Sequence, residues 1–488
     1  MSSDLALWCV LAAPIAQALL VALLWRPPGL RDTIHFLFAC AGAGWALYLV
    51  GAVAAGETAR VVLARPLPQV DLAFSAEPLG ALIAALILGL GAPHAMHTIG
   101  LVRATRERAP ARLMALCALA TAAAVATALS ANLFSFFVAY QALILAVFPL
   151  VAHRGDEESR RAAGIFLATL MASSIGLFLP AMVWTYAIAG ALDFQPGGVF
   201  VGRIDTITAN VLLTMFVLGL ATTAIPPMHR WLAAATAAPY PALASIYALA
   251  ILPAGGVGVL KIAAFVFGPA LSDAAFAARA MMVLAGVGMC MAALLALSKQ
   301  DLRERLAYSC MAQSLAVVIG ALLALPAGLF AATLQVVALS CAAVTLFMAA
   351  GTVAAVTGRA NAADYRGLGR VMPVTFAGFA LAAASMIGMP PFSGAWAKLW
   401  LITASAASGL VWAAALVGLA AVLTFAHLGP LAANALAAKA PSGAIDKPDG
   451  ASIVLAAPVV VTALATLWLL VLADPLASFL SPIWTPRP

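Results

Sequence analysis

The chain has 488 residues, 65% of them hydrophobic and only 9% charged, with a mean hydropathy of +1.07 and a formal net charge of +7. A water-soluble domain is nearer half apolar and a quarter charged, so this composition excludes a soluble enzyme or binding module. The surplus of positive charge would suit a polyanion, but its placement along the chain argues against a nucleic-acid partner.

Windows of about 20 apolar residues, long enough to cross a hydrocarbon core, recur roughly fourteen times. They lie near residues 4–25, 33–55, 76–99, 111–129, 131–151, 162–189, 207–228, 241–266, 276–298, 306–325, 328–357, 371–401, 407–436 and 452–475. The short connections leave no room for a soluble domain. An all-α integral membrane protein with about 14 transmembrane helices is expected, with the lipid bilayer as its solvent.

The opening MSSDLALWCV lacks a basic leader and a small-residue cleavage site, so it reads as the first span. Lys and Arg crowd the odd-numbered loops: Arg26 and Arg31, Arg103 to Arg112, Arg154 to Arg161, Arg230, Lys299 to Arg305, Arg359 to Arg370, then Lys439 and Lys447. The even loops hold only Arg60, Arg65, Arg203 and Arg279. Positive charge collects on the cytoplasmic side, which places both termini outside, as in a multi-pass protein of a bacterial inner membrane. The six cysteines are scattered without CxxC spacing, so no metal, haem or iron–sulfur cofactor is expected. Nor does a glycine-rich nucleotide motif follow a strand, and no strands are evident.

Two segments break the apolar pattern in the same way. IPPMHRWLAAAT begins at residue 225 and MPPFSGAWAKLW at residue 389, so that Pro226-Pro227 and Pro390-Pro391 stand 164 residues apart. Proline removes a backbone donor and blocks a carbonyl one turn back. In lipid the freed groups cost several kcal/mol each unless protein or water satisfies them. Each unit holds five spans, an odd number, so the second copy enters the membrane from the opposite side. The pattern predicts two inverted five-helix repeats at 111–270 and 271–436, after a three-helix segment at 1–110. A polar linker and a last helix follow at 437–488. In such folds paired interrupted helices mark the transport path.

These segments, together with AEPLGALIAALILGL and HTIG in the third span and SANLFSFFVAYQALILAVFPLV in the fifth, resemble a known family. So do APYPALASIYALA at 238–250 and QDLRERLAYSCMAQ at 300–313. The chain is similar to the antiporter-like membrane subunits shared by respiratory complex I, Mrp-type cation/proton antiporters and membrane-bound hydrogenases. The resemblance implies a subunit of a multisubunit complex that moves protons or monovalent cations along buried charged residues and water. It implies at most a non-catalytic membrane part of an oxidoreductase.

The chain departs from that family at most of its charged positions. The glutamate of the fifth helix falls on Gln141, the lysine of the seventh on Thr222 and the lysine of the eighth on Pro253. The histidine and lysine of the eleventh fall near Leu339 and Ala343, and only the lysine of the twelfth survives, as Lys398. Gln141 cannot exchange a proton near neutral pH. An ionisable group inside the membrane marks function by default, which favours Lys398 as the ion-path residue. Glu77, near the outer entrance of the third span, reads as either a structural partner or a conductor. Lys261 reads as snorkelling to the outer surface, and His229 as a ligand or cap at the first break. His97 and His427 read as structural. Asp301, Arg303 and Arg305 read as an anchor for their loop or for a neighbouring subunit, or else as a solvated run of charge. Two functions remain open, an ion-conducting module and a scaffold that has lost pumping, with membrane partnership in inorganic-carbon uptake as a third.

Overall fold

The computed structural model describes residues 2–24, 26–438 and 452–484. The expected linker at 437–451, with Lys439 and Lys447, lies almost wholly outside the described residues.

In chain order the helices begin with α1 (Ser3–Leu23) and α2 (Pro28–Ala54). A hairpin of β1 (Arg60–Leu67) and β2 (Val70–Ser75) leads to α3 (Pro78–Thr105), α4 (Pro110–Ala128) and α5 (Leu133–Val151). Next, α6 (Glu157–Ser173) runs through a π-helical turn, Ser174–Phe178, into α7 (Leu179–Ala189). The first interrupted segment comprises α8 (Thr206–Gly219) and α9 (Arg230–Ala235). It is followed by α10 (Tyr240–Ala244), a π-helical stretch Ser245–Ala250, and α11 (Ile251–Lys261). Then come α12 (Ala275–Ser298), α13 (Leu302–Ala321) and α14 (Pro326–Thr357). The second interrupted segment is α15 (Pro373–Ile387) with α16 (Ser393–Ala407), before α17 (Val411–Ala437), α18 (Ile453–Ala465) and α19 (Leu469–Trp484).

Local chemistry sets the helix starts. Asn132 accepts from Ser135 N at 2.7 Å, Asp156 from Ser159 N at 2.7 Å and Asp301 from Arg303 N at 2.8 Å, each satisfying one of the orphan donors of a first turn. Proline occupies the first turn of α2, α3, α4, α14 and α15, where its missing N–H costs nothing.

Ten of the described helices are long and apolar enough to cross a membrane, or eleven if the α18–α19 pair, bent by 58°, counts as one span. The sequence led to a larger number because α8 and α15 stop early at their breaks, and α13 carries Arg303, Glu304 and Arg305 in its first turn. The segment Tyr240–Ser272 and helix α14 are buried along their whole apolar length and form the centre of the bundle. Against them pack α3, α13, α16 and α18, while α2, α12 and α17 turn residues such as Leu47, Phe276 and Val422 outward. Lipid and protein solvate an apolar helix equally well, so packing and buried polar contacts rather than apolarity hold these segments in the middle.

The hairpin corrects the expectation of an all-α chain without strands. Arg60 pairs with Ser75 and Leu67 with Val70, and the hairpin lies over the turn between α4 and α5. Ser135 Oγ accepts from Ala73 N at 2.8 Å, and Asn132 Nδ2 donates to the Asp71 carbonyl at 2.7 Å. Pro66 and Pro68 hide the strand pattern in the sequence, because proline demotes a run to edge or loop. Docking on α5 supplies the partners that an isolated hairpin lacks in water.

Candidate functional site

At the first break, α8 ends at Gly219, and residues 221–223 form a tight 3₁₀ turn. Ala224 takes a left-handed conformation with φ 60°, and Pro226-Pro227 is cis. The backbone groups freed here find donors within the protein. Thr223 Oγ1 donates to the Leu220 carbonyl at 2.9 Å, Trp231 Nε1 to the Ala221 carbonyl at 2.8 Å, and Ser314 Oγ to the Thr223 carbonyl at 3.0 Å. Gly255 of α11 lets its backbone lie against the turn, since a Cβ there would stand 2.7 Å from Thr222 Oγ1. Pro253 is buried on the same helix, with no polar atom to offer the turn.

Thr222 is fully buried, and Tyr140 Oη donates to its Oγ1 at 3.1 Å. Gln141, the neighbour of Tyr140, points elsewhere: its Nε2 donates to Ser174 Oγ at 3.0 Å, at the start of the π-helical turn. The structure thus brings Thr222 to Tyr140 and takes Gln141 to Ser174. Sequence reasoning missed Tyr140, although a buried tyrosine must place its hydroxyl somewhere.

The second break differs in kind. Here α15 ends at Gly388, φ 95°, Pro390-Pro391 is cis, and α16 begins at Ser393. The buried Lys398 folds back over this turn, and its Nζ donates to the Met386 carbonyl and to Gln313 Oε1, both at 2.9 Å. Gln335 Nε2 of α14 donates to the same Gln313 Oε1 at 3.0 Å, and Gln335 Oε1 is buried without a protein partner among the described residues. Lys398, Gln313 and Gln335 form a continuous polar seam from the break into the centre of the bundle. Leu339 and Ala343 lie one and two turns beyond Gln335 on α14, both buried in apolar packing. Neither glutamine was singled out in the sequence. Gln313 sits in QDLRERLAYSCMAQ, and a buried amide with several hydrogen-bonding sites was the available signal.

The remaining candidates fall in separate places. Lys261 does not snorkel; it is fully buried. Its Nζ forms an ion pair with Glu77 Oε1 at 2.8 Å, donates to the Ser130 carbonyl at 2.9 Å and lies 5.1 Å from the Phe194 ring centre. Phe194 and the α4–α5 turn cover the ammonium, while its partner Glu77 keeps some contact with solvent. Glu77 also caps α3, its Oε2 accepting from Gly80 N at 2.8 Å, which makes the pair a joint between α3 and α11.

His229 stands at the start of α9 without a side-chain capping bond, beside a cavity lined by Glu158, Arg161, Arg230 and Tyr308. His97 Nε2 lies 2.8 Å from Thr352 Oγ1, and His427 contacts Ser309 and the Leu423 carbonyl. Asp301 holds Arg303 through both carboxylate oxygens, and Arg305 Nε donates to the Lys299 carbonyl at 2.9 Å. Burial alone would raise the Asp301 carboxyl, but the bonds from Arg303 outweigh it and hold the carboxyl below its usual range.

Residues 130–424, more than half of the chain, match the family described as "NADH:quinone oxidoreductase/Mrp antiporter, TM". The chain belongs to this family. Among relatives in it, NADH-quinone oxidoreductase subunit N of Desulforudis audaxviator is 26% identical over 80% of this chain and 78% of the relative. Subunit L of the same oxidoreductase from Mycobacterium tuberculosis is 26% identical over 84% of this chain and 66% of the relative. A Na(+)/H(+) antiporter subunit of Alkalihalophilus pseudofirmus is 25% identical over 57% and 56%. The fold superposes on a chain of the Mrp complex from Dietzia sp. DQ12-45-1b with a TM-score of 0.85 at 22% identity, over 99% of this chain and 98% of that one. It also superposes on a chain of the membrane-bound sulfane sulfur reductase, an archaeal respiratory membrane complex, with a TM-score of 0.83 at 20% identity, over 98% and 96%. The family's fold is therefore intact around a first break whose turn, residues 219–227, carries no charged side chain.

Proposed function

We propose that this chain is a membrane subunit of a multisubunit complex that translocates protons or monovalent cations, and that conduction runs through Lys398 and the glutamines behind it. The observation that carries the reading is the buried Lys398 ammonium, hydrogen-bonded to Gln313 Oε1 and to the Met386 carbonyl that the second break releases. A lysine in a dry bundle exists only because polar groups compensate it, and such a group is positioned to gain and lose a proton. The relatives named as oxidoreductase and antiporter subunits support the class of complex.

In this reading α8 with α9, α13, α15 with α16, and α18 with α19 complete fourteen crossings. The units 111–270 and 271–436 are inverted copies, preceded by 1–110 and followed by 437–488. Both termini lie on the outer side of a bacterial inner membrane, and the loops rich in Lys and Arg face the cytoplasm. His229, Glu77 and the two broken turns are further candidates for the ion path.

A second reading, a structural subunit that has lost conduction, is favoured by one observation. At the first break Trp231, Ser314 and Thr223 take up the freed carbonyls, and Gln141, Thr222, Pro253, Leu339 and Ala343 carry no charge. Proton uptake by vesicles bearing the assembled complex separates the two. Lys398→Ala with normal assembly abolishes complex-dependent uptake if the chain conducts. Unchanged uptake assigns it to the scaffold.

A further inference from the structure

Three of the six histidines, His35, His94 and His97, are buried together on α2 and α3, away from both breaks. Where α1 to α4 meet, a cavity of about 20 Å³ is lined by Gln17, His35, His94, Cys117 and Thr121. That is room for about one water.

The hydrogen bonds fix the tautomers of two of these rings. Gln17 Nε2 donates to the His35 carbonyl at 2.7 Å and lies 3.1 Å from His35 Nδ1. A carbonyl can only accept, so the atom beside it is the amide nitrogen, and His35 Nδ1 must accept from it. The proton of a neutral His35 then sits on Nε2, which is buried and has no protein partner among the described residues. His94 Nε2 faces the Pro241 carbonyl at 2.8 Å and must donate to it, leaving Nδ1 as its acceptor. Among the described residues His35 Nε2 lacks an acceptor, and His94 Nδ1 receives no hydrogen bond. A single water between them would satisfy both.

We propose that His35 and His94, bridged by one water in this cavity, form a proton-binding site that joins the N-terminal helices to the segment after the first break. The surroundings decide which ring takes an added proton. Asp32, one turn from His35, is shared by Arg31 at 2.7 Å and Arg103 at 2.6 Å, which leaves one positive charge beside His35 and directs an added proton to His94 instead. Gln17 of α1 and Thr121 of α4 present neutral groups, Cys117 a thiol, and no carboxylate lines the cavity. An added proton is shared through the water: His35 Nε2 keeps its hydrogen, the water donates to His94 Nδ1, and the proton settles on that nitrogen. His94 then bears N–H on both sides and holds the Pro241 carbonyl, at the first turn of α10, with a charge-assisted bond. Protonation thereby tightens α3 against the helix that follows the first break.

This site does not rest on conduction through Lys398, and its test reads ring protonation rather than flux. The full chain, labelled with ¹⁵N-histidine and held in lipid bilayers, is titrated by solid-state NMR with His35→Gln and His94→Gln for assignment. At high pH both rings should carry hydrogen on Nε2 alone. On acidification His94 should become the imidazolium, and His35→Gln should move its midpoint by about one pH unit or more, as coupled sites require. His97→Gln, whose ring bonds Thr352 and does not line the cavity, should leave that midpoint in place. The proposal fails if the His94 midpoint is the same in His35→Gln, if His97→Gln shifts it equally, or if neither ring changes protonation between about pH 4 and 9.

Discussion

The two proline breaks solve one backbone problem with different chemistry. At the first, neutral donors close the open carbonyls: the Trp231 indole, the Ser314 hydroxyl and Thr223 itself. At the second, an ammonium does so, with Lys398 on the Met386 carbonyl and the amides of Gln313 and Gln335 behind it. Both satisfy the requirement that backbone in the membrane be hydrogen-bonded. Only at the second does a titratable side chain itself close a freed carbonyl. A broken helix is therefore an architectural device first, and becomes an ion site only when a charge is placed on it.

The comparison breaks most visibly through function. Thr222→Val, set beside Lys398→Ala, should leave complex-dependent proton uptake near the parent level, whereas the lysine variant abolishes it. Loss of uptake in Thr222→Val with normal assembly would mean that the first break conducts after all.

Next in size is the Glu77–Lys261 pair, which lies outside both breaks. Removing one partner of a buried pair costs roughly 3–5 kcal/mol. Lys261→Met should sit near the lower end, about 3 kcal/mol, because Glu77 keeps some contact with solvent. The double variant Lys261→Met with Glu77→Gln should recover most of that loss in a thermal-stability measurement on the purified protein. A double variant no more stable than the single would show that the pair is not coupled.

Gly255→Ala probes the closeness of the first turn, because the new methyl would stand 2.7 Å from Thr222 Oγ1 and 2.8 Å from Thr223 N. Overpacking of this kind costs about 1–3 kcal/mol, read as a lowered melting temperature with the turn pushed off α11. A variant as stable as the parent would mean the turn is loosely held. The smallest effect sharpens the same contrast. Tyr140→Phe removes the hydroxyl bonded to Thr222 and should cost about 1 kcal/mol with uptake unchanged. A marked loss of uptake would make Tyr140 part of a path.

Much of the fold could be read from residues. The two Pro-Pro sites and the apolar windows follow from local chemistry that does not depend on what packs against them. The hairpin could not be read, because β1 and β2 hold together by docking on α5 rather than by their own propensity. The site was half legible. Lys398 stands out as a charge in an apolar run, but Gln313 and Gln335 are ordinary residues until α13 and α14 bring them to it.

Sequence alone determined that the chain is a helical membrane protein with two interrupted segments and one surviving lysine at the second. Those properties are fixed by composition, by proline's missing donor and by residue type. Tertiary structure decided which groups answer one another: Tyr140 rather than Gln141 beside Thr222, Glu77 on a fully buried Lys261, and His35 and His94 lining one space the size of a water. A side chain's hydrogen-bonding capacity is written in its formula. Its partner is set by packing between helices far apart in the chain, and no local pattern encodes that.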